Sequence, residues 1–94
     1  MRVDDPLRAA NIIGGIPPTG TGKHYRLQVG AFRVPRNAVD ALERLRNAGL
    51  DPKYEQYEDY YRVVLPGLRP EDILPVAIRL YSAGFVEAII REEY

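Results

Sequence analysis

The 94-residue chain contains no cysteine and a single histidine, His24. The first absence excludes a disulfide framework and any cysteine-ligated metal site, and leaves the redox compartment open. The second excludes a multi-histidine cluster, so neither a metal nor any other cofactor is expected. Long apolar runs are missing as well: nothing approaches the roughly 20 residues that a membrane span requires. The N-terminus has no basic start followed by an apolar core, so no signal peptide is visible. Charge of one sign is also lacking. Thirteen Lys and Arg balance thirteen Asp and Glu, so no net field draws in a polyanion, and nucleic acid is not an expected partner. The remainder is an ordinary globular composition, 46% hydrophobic and 28% charged, at the length of one domain.

Residues 1–23 differ in texture from the rest. They hold Gly14, Gly15, Gly20 and Gly22, four of the eight glycines, and Pro6, Pro17 and Pro18, three of the eight prolines. Proline lacks a donor and glycine loses much entropy on ordering, so this stretch is expected to carry no regular hydrogen-bond ladder. It reads as a Gly/Pro-rich linker or N-terminal extension. Packing of Leu7, Ile12, Ile13 and Ile16 against the domain edge is left open.

A folded domain is expected over 24–94. Tyr25, Leu27 and Val29 alternate with Arg26, Gln28 and Gly30, the period of a half-buried strand. Asn37 then stands as a helix cap, with Asp40 near the positive end of the dipole. Ala38, Ala41, Leu42, Leu45 and Ala48 form one helical stripe, and Gly49 supplies a left-handed stop. A hairpin follows, with strands around Lys53–Tyr57 and Tyr60–Leu65 joined at Glu58-Asp59. A second helix is expected from about Asp72 to Ala83, beginning with Pro75 in its first turn or kinking there, and stopped by Gly84. A last strand is expected from Val86 to Arg91. The halves repeat: Tyr25-Arg26-Leu27 recurs as Tyr61-Arg62-Val63, and Arg44-Leu45 with Ala48-Gly49-Leu50 recurs as Arg79-Leu80 with Ala83-Gly84-Phe85. Two interlocked β-α-β halves predict an α+β, ferredoxin-like β-α-β-β-α-β fold. Its four-stranded antiparallel sheet carries two helices on one face.

The other face is then open, and a domain of about 71 residues has little stability to spare for a deep cavity. Alternation directs Arg26, Gln28 and Gly30 outward from the first of these strands, and Tyr60, Arg62 and Val64 from the third. Glu87, Ile89 and Arg91 go outward from the last, with Val86, Ala88 and Ile90 inward. The two-residue turn pairs Tyr57 with Tyr60 and Glu55 with Arg62 on the same face. Tyr25, Tyr54 and Tyr81 are assigned to the core or its edge. Gln28 and Arg62 stand mid-sheet between tyrosines and Ile89. Such a surface suits a neutral sugar polymer: tyrosine offers a flat ring with a polar edge, Gln28 donates and accepts, and Arg62 brings a rigid fork of donors.

Residues 25–91 resemble the SPOR (sporulation-related repeat) domain. The matching residues are Gln28-Val29-Gly30-Ala31-Phe32, Asn37-Ala38, Leu45, Gly49, Tyr61-Arg62-Val63, Gly67, Leu80 and Gly84. The resemblance implies a non-catalytic module that binds peptidoglycan, in particular glycan strands stripped of stem peptides at the division septum. It also implies an exported parent protein of the periplasm or cell envelope, such as a lytic transglycosylase of the rare lipoprotein A type, of which this chain is a piece. The family's glutamine carries over to Gln28, its arginine to Arg62 and its aromatic to Phe32. With the residues placed by alternation, the candidate glycan-binding set is Arg26, Gln28, Phe32, Tyr57, Tyr60, Arg62 and Ile89. Pro66 departs from the family pattern, which more often continues into Gly-Pro-aromatic. A monomer without membrane contact is expected.

Rival readings are set against this one. Arg62 opposite Glu55 also reads as an ordinary cross-strand pair, and Phe32 as a packing residue. Thr19-Gly20-Thr21-Gly22-Lys23 imitates a phosphate loop, but Pro17 stands where the motif needs glycine and His24 where it needs Ser or Thr. Acylphosphatases share the element order, yet Tyr60–Leu65 lacks the asparagine their chemistry uses. RNA binding on an open sheet wants aromatics where Gln28 and Arg62 stand. A protein-docking role for the same face is the remaining alternative.

Overall fold

The computed structural model describes residues 8–94; Pro6 and Leu7 lie outside them. Its elements are β1 (Asn11–Ile13), β2 (His24–Phe32), α1 (Pro35–Asn47), β3 (Lys53–Tyr57), β4 (Tyr60–Leu68), α2 (Pro70–Ser82) and β5 (Glu87–Glu93). They form one sheet in the order β1-β5-β2-β4-β3. From β5 to β3 all neighbours are antiparallel, the expected split β-α-β-β-α-β arrangement. The sheet has five strands rather than four, because β1 runs parallel to β5 along its outer edge.

That strand corrects the reading of residues 1–23 as free of a ladder. The glycines and the Pro17-Pro18 pair cluster after residue 13, leaving 7–13 free of both residue types. Ile12 turns inward and is only 9% exposed, and Ala10 is buried beside it in the core. The Ala10 amide donates to the α2 carbonyl of Ala77 (2.9 Å) and the Asn11 amide to Val86 (2.8 Å). Gly14 ends the strand at φ +106°, where a Cβ would lie 2.8 Å from Ile90 Cγ2.

Both helices begin earlier than their polar residues suggest. Pro35 and Pro70 occupy the first turn, where a missing amide hydrogen costs nothing. Asn37 therefore lies inside α1, whose N-cap position is held by Val34 without a side-chain cap, and Pro75 lies inside α2. The bond that Pro75 omits would have run to the carbonyl of Glu71, an exposed residue of the first turn. Both helices end as expected. The Leu50 amide donates to Leu45 and the Gly49 amide to Arg46, and the same pair of bonds runs from Phe85 to Leu80 and from Gly84 to Tyr81. Gly49 and Gly84 hold φ of +82° and +93°.

The core is built from one side of the sheet and one stripe of each helix. Leu27, Val63, Leu65 and Ala88 meet Ala38, Ala41, Leu42 and Leu45 of α1 and Ile73, Ala77 and Leu80 of α2. Val86 is a correction: it precedes β5 and is exposed. Tyr54 stands at the core's edge, one of the two places expected for it: on the helix side of β3 it tilts against Tyr61 with centroids 6.0 Å apart, beside Ala38 and Leu42, and stays 56% exposed. Pro66 does not interrupt β4, which runs on to Leu68 through an irregularity between the pairs Leu27–Leu65 and Tyr25–Leu68. Gly67 absorbs it at φ +71°, its amide donating to Glu93 Oε1 at 2.8 Å.

Candidate binding face

The sheet face opposite the helices is organised around one row of paired residues. Ile13 pairs with Ile89, Ile89 with Gln28, Gln28 with Val64, and Val64 with Lys53. The row crosses all five strands. Its direction is fixed by inward neighbours, since Ile12, Ala88, Leu27, Val63 and Leu65 all enter the core. Side chains one position along each strand must then face the other way.

A register shift in β2 sets what lies next to Gln28. Between Gln28–Val64 and Gly30–Val63 the strand holds one extra residue, so Ala31, not Gly30, stands opposite Arg62. Gly30, expected outward, pairs with inward Val63 and lies under the Phe32 ring, 2.8 Å from the site of its absent Cβ. Phe32 pairs with Tyr61, and both pack against the core from the helix side. Phe32 is therefore separated from the other candidates by the sheet itself. The packing alternative describes its position.

Glu55 is opposite Arg62 in register, but its carboxylate serves Arg26. Arg26 Nη1 donates to Glu55 Oε1 and Oε2 at 2.9 and 2.8 Å, and Nε donates to Glu93 Oε2 at 3.2 Å. The Glu55 bond holds the guanidinium further above its ordinary pKa, partly offset by desolvation. Arg26 is on β2 and Glu55 on β3, with β4 between them. In the register this bridge runs diagonally over Val64, which is 2% exposed although it belongs to no part of the helix-side core. A polar strap thus covers the row at Val64. Arg26, a candidate contact, is committed to two carboxylates.

Freed from Glu55, Arg62 lies over the Tyr57 ring, its guanidinium carbon 3.9 Å from the centroid. Tyr57 pairs with Tyr60 across the hairpin. Arg33 Nη2 donates to the Tyr60 hydroxyl at 2.8 Å. Gln28, Ile89, Arg62, Tyr57 and Tyr60 thus share one face as a diagonal band, bordered by the Arg26–Glu55 strap. The sequence reading missed Ile13, which enters through a strand it did not expect, and Ala31, which the extra residue turns outward. Among the described residues no cluster of His, Cys, Asp or Glu has the makings of a metal site, and no helix is long and apolar enough to cross a membrane.

The comparisons agree with this architecture. The solution structure of the peptidoglycan binding domain of the B. subtilis cell wall lytic enzyme CwlC is similar over 83% of this chain and 99% of that one, with TM-score 0.63 and 28% identity. The Spor protein DedD is similar in fold, with TM-score 0.55 and 18% identity over 78% of this chain and 40% of that one. Comparison with curated protein sequences gave no match. The family model of the SPOR domain matches residues 21–91, and the chain belongs to that family.

Proposed function

We propose that this domain is a non-catalytic module that holds peptidoglycan on the open sheet face, along glycan strands that lack stem peptides. The observation that carries the reading is the diagonal band. It places an amide, Gln28, between apolar Ile89 and a guanidinium, Arg62, stacked on Tyr57. A pyranose presents an apolar C–H face and a rim of hydroxyl and acetamide groups, and the band offers a partner for each. A stem peptide directed at such a flat surface would wedge between it and the ring, which favours stripped strands. The similarity to a peptidoglycan binding domain supports the ligand class. Stripped strands arise where septal wall is being split, so the module suits a protein of the cell envelope that works at division sites.

The test is co-sedimentation with sacculi before and after amidase treatment. Treatment is expected to raise the bound fraction, and Gln28→Ala with Arg62→Ala to abolish it without loss of the folded state. Equal binding to both preparations would remove the stripped-strand preference. Normal binding by the double variant would remove the band as the site. An open surface encloses little of a ligand, so affinity is expected at about micromolar or weaker.

A further inference from the structure

The Arg26–Glu55 strap has a directional effect. It covers the central row at Val64, so a chain lying on Gln28 cannot continue along that row toward β3. On the opposite side nothing intervenes among the described residues. Gln28 pairs with Ile89, Ile89 pairs with Ile13, and Ile13 is 42% exposed. The uncovered part of the row therefore ends on β1.

Resting on the glycan reading above, we infer that Ile13 forms an additional sugar subsite, so that β1 lengthens the platform by one strand. Neighbouring strands lie about 4.8 Å apart, close to the advance of one sugar ring along a β-linked glycan. A strand lying along the row meets Gln28, Ile89 and Ile13 with successive rings. The two isoleucines offer apolar surface to C–H faces, and Gln28 takes the hydroxyl and acetamide edge. β1 is held well enough to serve: Ile12 is anchored in the core and two amides bond outside the ladder, to Ala77 and Val86. Residues 8–16 precede the family match at 21–91, so the contribution belongs to this chain rather than to the shared domain.

The test measures binding of amidase-stripped glycan strands of three lengths, a disaccharide, a tetrasaccharide and a hexasaccharide, to the full chain. Wild type should gain roughly five-fold in affinity from the disaccharide to the tetrasaccharide, the shortest of the three that spans all three positions, as suits partial burial of one aliphatic side chain. Ile13→Thr keeps a β-branched residue in the strand but shortens the apolar tip. It should lose that gain while matching wild type on the disaccharide, with an unchanged thermal midpoint. Ile13→Tyr, a larger flat surface of good strand propensity, should keep the gain. An unchanged gain in Ile13→Thr, equal weakening at every length, or loss of the gain in Ile13→Tyr would overturn the subsite and leave the glycan reading intact. A wild-type chain that binds none of the three would overturn the glycan reading itself.

Discussion

Arg44 and Arg79 each close the end of the other's helix. Arg44 Nη2, on α1, donates to the carbonyl of Ala83 at 2.6 Å, and Arg79 Nη1, on α2, donates to that of Gly49 at 3.3 Å. The two arginines are equivalent in the internal repeat, so the duplication persists as a reciprocal pair of caps on orphan carbonyls. The pair is unequal. Arg44 also lies over Phe85, 4.6 Å from its centroid, and its bond is the shorter.

Arg44→Ala should therefore cost more than Arg79→Ala. An exposed C-terminal cap contributes about 0.3–1 kcal/mol, and a cation over an aromatic face adds about 0.5–1 kcal/mol. Urea unfolding should give about 1–2 kcal/mol for Arg44→Ala and about 0.5 kcal/mol for Arg79→Ala. Equal losses would show that the Phe85 contact adds nothing.

Deletion of residues 1–20 keeps the segment matched by the family model and removes β1. The loss exposes the β5 edge and takes Ile12 and Ala10 out of the core. A buried Ile contributes about 1.5–3 kcal/mol, a large share of what so small a domain has to lose. The shortened chain should fold with a thermal midpoint lowered by more than 5 °C, roughly what about 1 kcal/mol does at this size. A midpoint within a degree of the full chain would make β1 an ornament.

Most of the scaffold was legible because burial imposes a period. Leu27, Val63 and Ala88 each enter the core where alternation put them, and Gly49 and Gly84 end the helices they were expected to end. The misreadings came where a local residue type competed with a less visible one. Asn37 is a good cap, but Pro35 stands two residues earlier and is preset for a first turn. Gly30 fits the alternation of β2 in sequence, yet the extra residue turns it inward beneath Phe32. A bulge leaves the composition of a strand unchanged, so alternation alone could not locate it. Glu55 was correctly paired with Arg62 in register. Its choice of Arg26 two strands away depends on the reach of a long side chain, which no pairing rule encodes.

The acid limb of stability should carry one assignable contribution. Asp72 Oδ2 accepts the Arg69 backbone amide at 2.9 Å at the start of α2, and this bond, with the Arg69 side chain, holds its carboxyl below the ordinary range. A depressed carboxylate pKa stabilises the fold above the unfolded value, about 3.9, and that stabilisation is lost as pH falls through the folded value. Asp72→Asn should therefore lower the thermal midpoint at neutral pH and close the gap to wild type under strongly acid conditions. A gap that stays constant down the acid limb would assign the effect to side-chain shape rather than charge.

The strap itself should be weak in energy and strong in consequence. Arg26 and Glu55 side chains are 29% and 41% exposed, so solvent screens their attraction. A double-mutant cycle with Arg26→Met and Glu55→Gln should return a coupling of about 0.5–1 kcal/mol that shrinks with added salt. Either change alone frees the partner to move and uncovers Val64, which extends the apolar row from Gln28 toward Lys53. Glu55→Gln should then bind stripped glycan strands at least as well as wild type, because a covered position becomes available and no band residue is removed. If the variant instead bound as poorly as Gln28→Ala, the Glu55 carboxylate would be a ligand contact and the strap would be part of the site rather than its border.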